Sequence, residues 1–441
     1  MASEINRRAF LRRSAAVGMA GLAGRHAFAR QPAAGVSKPP RRGANEEIRT
    51  AIIGIRAQGK LHIKYHQASK NMRIVTLCDP DENLFADRVK LVKGGTPKTE
   101  TDMRRVFDDK DVDCVSIATP NYWHALATVW ACQAGKDVYV EKPATYCIAE
   151  GRTMMAAAEK YGRVVQVGTH LRANKGRQEA MAYLRDGLIG DVYMARTFVF
   201  RPRESIGHKA DAPVPAGVDY DLWCGPAPKR PFNPNRFHYE WHWFWDTGNG
   251  EIGNNGPHVM DMAIEGLNKQ ETLPAQIVSQ GKRVVWDDQA ETPNTHIAQY
   301  QYADGTLLTI DVRNLPSPHE IGTSTGVLFL GSKGYLSLQL NGTYETLVDG
   351  KPGPKGSGKG AHPELVANFY DVMRSRNVSD LLAPVAYGHT GAALCHLGNI
   401  AYRLGRAVNF DPKTETFGND QDANAFLTRT YRAPYTMPDI A

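Results

Sequence analysis

Val112 to Pro143 reads VDCVSIATPNYWHALATVWACQAGKDVYVEKP, and this stretch decides the fold. Asp113 to Ala118 is a short apolar run rich in β-branched residues, the pattern of a buried parallel strand. Thr119-Pro120-Asn121 breaks it where the carboxyl end of such a strand opens into a binding crevice. A helix is predicted from about His124 to Ala134, Gly135 caps it, and Val138-Tyr139-Val140 forms a second strand. The crossover delivers Glu141-Lys142-Pro143 to the same edge of the sheet. A lysine held there reaches both a bound dinucleotide and a second ligand.

Upstream, Ile48 to Ile53 reads as the first core strand, with Gly54-Ile55-Arg56-Ala57-Gln58-Gly59 at its end and a helix running on through His66. Arg73 to Cys78 is a second strand ending at Asp79, 25 positions after Gly54 (79 minus 54), close to the spacing of an acid that accepts hydrogen bonds from an adenosine ribose. Arg56 takes the place of the middle glycine of GxGxxG, so Gly54 and Gly59 either make a tight turn only or cradle a pyrophosphate at the helix amino terminus. Arg56 either adds a cation for that phosphate or crowds it. Asp79 and Glu141-Lys142-Pro143 favour the cradle.

Downstream, Ile148 to Tyr161 is a helix, Val164 to Gly168 a strand leading to Thr169-His170, Gln178 to Asp186 a helix and Asp191 to Phe200 a strand. A long loop follows from Arg201 to Trp245, of the length that covers a site or meets a neighbouring subunit. From Ala275 to Val348 the pattern alternates: strands are predicted at Gln276 to Trp286, His296 to Tyr302, Leu307 to Arg313, Gly326 to Leu330 and Tyr335 to Leu340. An open antiparallel sheet of this kind buries one face under helices and leaves the other for a partner chain. Lys351 to Gly360 reads as a flexible loop, and Pro363 to Ser375 and Thr390 to Leu404 as closing helices.

The 441 residues, 42% hydrophobic and 22% charged, describe a soluble globular protein of two ordinary domains. Residues 1–29 carry five Arg against one Glu, and residues 30–46 three Arg and one Lys against one Glu, which accounts for the whole formal charge of +7. The remainder is formally neutral, which argues against a nucleic-acid partner. Asn6-Arg7-Arg8-Ala9-Phe10-Leu11-Arg12, a mildly apolar Ser14 to Gly24 and Ala27-Phe28-Ala29 read as a twin-arginine export signal over residues 1–29 with a linker over 30–46. No apolar run is long enough to span a bilayer. The six cysteines show no CxxC pairing, so no essential disulfide is expected.

A second informative unit is Trp241 to Asp261, WHWFWDTGNGEIGNNGPHVMD. Glycines at 248, 250, 253 and 256 are expected to let backbone approach a ligand, and Pro257 at a helix start places His258 and Asp261 on one face of the first turn. A helix amino terminus lowers a histidine's proton affinity, which suits a neutral base. Metal binding competes for His238, His242, His258, His124 and His170, but HYEWH is not HExxH and no cysteine ligand is near, so no metal is expected. Lys142 is either a solvated surface charge or a working group, with Pro143 fixing its backbone and Glu141 orienting its ammonium.

ATPNYWH, GKDVYVEKP, AEGRTMMAAAEKYGRVVQVGTH, DLWCGPAP, NPNRFH, GPHVMD and LCHLGNIAYRLGR together resemble the Gfo/Idh/MocA oxidoreductases, particularly their exported bacterial branch, from about Ile48 to the carboxyl end. The resemblance implies an N-terminal Rossmann domain with a doubly wound parallel sheet (47–168), then a C-terminal α/β domain with a large, mostly antiparallel open sheet (169–441). It also implies assembly as dimers or tetramers through that sheet, NAD rather than NADP given Asp79, and a sugar or polyol substrate. By the same resemblance Lys142 and His258 are the catalytic pair, and Gly54, Gly59, Asp79, Thr119, Asn121 and His124 join Lys142 around the cofactor; Arg56, which departs from the family's glycine, and Glu141 are added from their positions in the sequence. His170, Asn254 and Asp261 are the substrate-side candidates; the family often has Asp where this chain has Asn254. Three readings follow: an NAD(P)-dependent oxidoreductase with a tightly held cofactor in the periplasm, a redox-neutral NAD-dependent glycosidase or epimerase, and a non-catalytic sugar-binding protein.

Overall fold

The computed structural model describes Gly43 and residues 46–440, so the expected export signal and nearly all of the expected linker lie outside the described residues. Strands β1 (Ile48–Ile53), β2 (Met72–Cys78), β3 (Lys98–Glu100), β4 (Cys114–Ile117), β5 (Asp137–Val140) and β6 (Val165–Val167) form one parallel sheet in the order β3-β2-β1-β4-β5-β6. Every residue of β4, β5 and β6 is buried, which is why these strands read as continuous rather than alternating apolar runs. One face carries Ile48, Cys114 and Tyr139 against Phe369 and Tyr370 of a helix at His362–Ser375. The opposite face carries Ile53, Val115 and Val140 against the helix Asn121–Gln133 that follows β4. Strand order reverses between β1 and β4, and a crevice opens at their carboxyl ends.

The second sheet has nine strands: β7 (Val192–Phe200), β8 (Gln276–Lys282), β9 (Thr295–Gln301), β10 (Leu307–Arg313), β11 (Thr325–Gly331), β12 (Gly334–Gln339), β13 (Tyr344–Val348), β14 (Lys351–Gly356) and β15 (Val408–Asn409). Their order is β14-β13-β12-β11-β7-β10-β9-β8-β15, with β7 and β10 a parallel pair among antiparallel neighbours. Its inner face buries Val199, Ile310, Val327 and Phe329 against Val259, Met260 and Leu394. Those three come from helices at Gly256–Gly266 and Val385–Leu404. The outer face exposes Val278, Ile297 and Leu307. All six cysteines are buried, and no helix among the described residues is long and apolar enough to cross a membrane.

Two expectations are corrected here. The segment expected as a flexible loop at Lys351 to Gly360 begins with an edge strand, β14, paired with β13, itself not foreseen. An edge position tolerates Pro352 and Pro354 because one side of such a strand needs no donors. The strand expected at Gln276 to Trp286 ends at Lys282.

Asp261, expected beside the substrate, is instead the hub of a buried ion network. Its carboxylate lies 2.7 Å from Arg172 and 2.8 Å from Arg177, and Arg177 also meets Glu265 at 2.6 Å. These bonds tie the segment after β6 to the helix Gly256–Gly266. Removing the hub leaves buried guanidinium groups short of a partner, at a cost of about 3 kcal/mol. Asp261→Ala should therefore lower the urea midpoint markedly with little change in the slope of the transition, read by tryptophan fluorescence.

Candidate active site

The carboxyl ends of the parallel strands open into a cavity of about 460 Å³. Gly54, after β1, has φ +79, and a Cβ there would sit 2.8 Å from the Ala118 carbonyl and the Thr119 nitrogen. Gly59 does not line the cavity. Its missing side chain lets the helix Ala57–His66 close against the turn, since a Cβ would fall 1.8 Å from the Gly54 oxygen. Helix start and turn thus leave an opening lined by Gly54, Arg56, Ala57 and Gln58. Asp79 lies beside it, its two oxygens accepting the backbone N–H groups of Ile55 (2.8 Å) and Asp81 (3.0 Å). Burial raises its pKa to about 6 against those two bonds, which lower it.

Past this end the loops after β4 and β5 supply Thr119, Glu141 and Lys142, and the first turn of the helix Asn121–Gln133 supplies His124. His124 closes the wall from behind: Nδ1 lies 2.7 Å from the Pro143 carbonyl oxygen and Nε2 2.9 Å from that of Thr119, joining the two strand-end loops. Asn121 faces away from the cavity and donates to Asn249. The Thr119 hydroxyl is buried with no protein partner among the described residues.

Glu141 does not orient the lysine ammonium as expected. Its Oε1 takes bonds from His62 and Gln58, both at 2.9 Å, and its Oε2 accepts the Lys142 backbone N–H at 3.0 Å. Burial alone would raise this carboxyl, but the His62 bond and charge, with Lys142, outweigh it and hold the group well below the usual carboxylate range. His62 continues a buried chain through Ser116 and His66 to the Tyr370 hydroxyl, each link 2.7 to 2.8 Å.

The Lys142 Nζ donates to the backbone carbonyl of Asn254 at 3.0 Å. Desolvation lowers its pKa, Glu141 and Glu251 act in the opposite sense, and Arg201 and Arg203 lower it further. Facing it are His170, Asn254 and His258. The rings of His170 and His258 meet edge to face at 5.2 Å, and His170 stacks on His362 at 3.5 Å. His258 has its pKa pushed well below 6.5 by burial first and then by Lys142 and His170. His258 lies in the first turn of its helix, as expected, and a short helix, Gly250–Asn254, precedes it across Asn255. The glycines of this segment do not admit a ligand: a Cβ at Gly248 would strike the His242 carbonyl at 2.2 Å and one at Gly253 the Asn249 side chain at 2.3 Å. They allow chain to pack on chain.

The long loop after β7 brings Arg201, His238, Tyr239 and His242 to the cavity, and His362 arrives from a helix over a hundred residues downstream of His258. No local pattern marks these positions, apart from the loop's length. Among the described residues no three His, Cys, Asp or Glu gather as a metal-holding group.

A family profile for an oxidoreductase C-terminal alpha/beta domain, GFO_IDH_MocA_C2, matches residues 198–437, and a second, for the NAD-binding Rossmann fold of the same oxidoreductases, matches residues 48–169. The chain belongs to the Gfo/Idh/MocA oxidoreductase family. Among curated Gfo/Idh/MocA relatives, it is 27% identical over 155 residues to the D-glucoside 3-dehydrogenase of Escherichia coli K12, covering 35% of this chain and 44% of that one. It is 27% identical over 209 residues to a glycosyl hydrolase family 109 protein of Shewanella pealeana, covering 43% and 44%. The aligned part thus spans less than half the length of these relatives. The WlbA dehydrogenase of Bordetella pertussis, solved with NADH and UDP-GlcNAcA, shares the fold with a TM-score of 0.62 at 18% identity, covering 83% of this chain and 99% of that one.

The residues present fit the nicotinamide dinucleotide of the Gfo/Idh/MocA Rossmann domain: a tight turn opened by Gly54 at a helix amino terminus, with Arg56 beside it, an acid beyond it and an unspent Thr119 hydroxyl. Because Asp79 has its pKa raised from 3.8 to about 6, it is the charged form that burial disfavours. For stability, the folded chain holds this proton more tightly, so the group's contribution is fully favourable below 3.8 and is lost as pH rises through about 6. Ribose hydroxyls donate to the carboxylate, so binding runs the other way. Dinucleotide affinity should weaken as pH falls through about 6, and Asp79→Asn should flatten that dependence in a fluorescence titration.

Proposed function

We propose that this protein is an NAD-dependent oxidoreductase acting on a hydroxyl of a sugar or polyol. The observation that carries the reading is the placement of Lys142 and His258 at the far end of the cavity whose near end is lined by Gly54 and Asp79. When bound, the nicotinamide supplies the acceptor for a hydride leaving the carbinol carbon. His258, kept neutral by burial, takes the hydroxyl proton as the carbon–oxygen double bond forms. Lys142 donates a hydrogen bond to the same oxygen and stabilises its developing charge. Its ammonium is held in place by the Asn254 carbonyl, and its lowered pKa brings the loss of that donor to a pH below 10.5. Asp79, an acid beside the ribose end, favours NAD by repelling a 2′-phosphate.

Export by the twin-arginine route to the periplasm belongs to the same proposal. A chain folded before export carries its cofactor with it, and the burial of all six cysteines accords with folding in a reducing compartment. The outer sheet face, with Val278, Ile297 and Leu307 exposed, is the surface we assign to a homo-oligomer. The glycosyl hydrolase relative favours a second reading, in which oxidation is transient and the hydride returns before product leaves.

Lys142→Met should lower turnover roughly a hundredfold to ten-thousandfold while dinucleotide released on denaturation stays at the wild-type amount. Full activity in that variant would remove the lysine from the mechanism. Incubation with a glycoside in deuterated water separates the two readings: deuterium on the carbon beside the oxidised one marks transient oxidation with elimination, and net reduction of the nicotinamide without it marks a dehydrogenase.

A further inference from the structure

We infer that the sugar accepted here carries an anionic group, a carboxylate or a phosphate, bound by Arg201 next to the catalytic lysine. The inference rests on the oxidoreductase reading above and names the substrate class of that same site. Arg201 is the first residue beyond β7, and its main chain is fixed on both sides: its N–H donates to the Arg313 carbonyl at 2.9 Å and its carbonyl accepts from the Asn314 amide at 3.0 Å. Arg201 lines the cavity at its exposed mouth and forms no ion pair among the described residues. The one contact of its side chain is a long bond of 3.4 Å to the Asn255 side-chain oxygen. Asn255 adjoins Asn254, whose carbonyl holds the Lys142 ammonium, so the two cations flank one region.

The carboxylates near this end are committed elsewhere. Glu141 is bound by His62, Gln58 and the Lys142 backbone, and Glu251 by Arg203, two residues beyond Arg201, and by Asn255. Arg203 shows what a structural arginine looks like here: two bonds to Glu251 at 3.1 Å and one to the Tyr239 hydroxyl at 3.0 Å. Tyr239, also on the cavity wall, accepts from Arg203 and from the Asn254 amide at 3.5 Å, which leaves its own proton to donate. Two positive charges without a carboxylate between them, with a hydroxyl donor at the side, match an anionic oxygen group and are mismatched to a wholly neutral sugar.

The test titrates the purified, cofactor-loaded protein with a panel of methyl uronides, the corresponding sugar 6-phosphates and the neutral methyl glycosides, reading tryptophan fluorescence for binding and nicotinamide absorbance for turnover. Anionic ligands should bind roughly tenfold to a hundredfold more tightly than neutral ones, and the uronide and phosphate arms identify which anion is meant. Arg201→Gln should bring the anionic-to-neutral ratio toward one and Arg201→Lys should restore part of it, with retained cofactor showing that both variants fold. Equal binding of neutral and anionic sugars, or no binding of either, overturns the inference. Turnover of neutral sugars without charge preference overturns it while the oxidoreductase reading stands. Arg201-dependent binding of anions without any nicotinamide reduction supports the subsite and sinks the oxidoreductase reading instead.

Discussion

The site depends on holding one half-buried ammonium group in a fixed position on the cavity wall. Lys142 sits just beyond the tip of β5, and the opposing helical segment supplies the carbonyl that accepts its hydrogen bond. A buried cation without such an acceptor would lose its proton or pull the chain apart. The fixed acceptor keeps the lysine aimed into the cavity, and partial withdrawal from water strengthens its field at short range. His258 and His170 feel the same charge, which adds to burial in keeping both rings neutral.

Along its length the cavity divides into two electrostatic regions. The end beside Gly54 carries Asp79 and Asp81, with carboxylate oxygens directed at backbone donors. The other end gathers Lys142 and Arg201 among neutral imidazoles, and its nearest acids are already bound. Glu141 stands at the boundary, where Gln58 and His62 on the first helix fasten it to the sheet. Such a division gives the two ends of the cavity different electrostatic character within one fixed wall.

The parallel sheet was legible because Val112 to Pro143 holds its own pattern: apolar strand, helix, capping glycine, strand. The second sheet was legible strand by strand where side chains alternate, and failed at Lys351–Gly356, whose proline and glycine content signals a loop while hydrogen bonds to β13 make a strand. Within the site, Gly54, Asp79, Lys142 and His258 were found from motif and spacing, and the cavity brings them together. The partner of Glu141 was missed because it lies 79 positions away on another helix. Asp261 was misread for the same reason. Helical spacing puts it near His258, but two arginines on a separate segment claim it. Glycine spacing in 248–256 also cannot say whether the close neighbour is a ligand or, as here, the protein itself.

The acceptor for Lys142 is a main-chain oxygen, and a main-chain oxygen is present whatever side chain residue 254 carries. The grip on the lysine ammonium is therefore independent of the side chain at that position. Asn254 points its amide toward Tyr239, so exchanging it for aspartate or a smaller residue reshapes the wall facing the second ligand and leaves the lysine's anchor intact. Residue 254 thus has two separable parts, a main-chain anchor for the lysine and a side chain that shapes the wall.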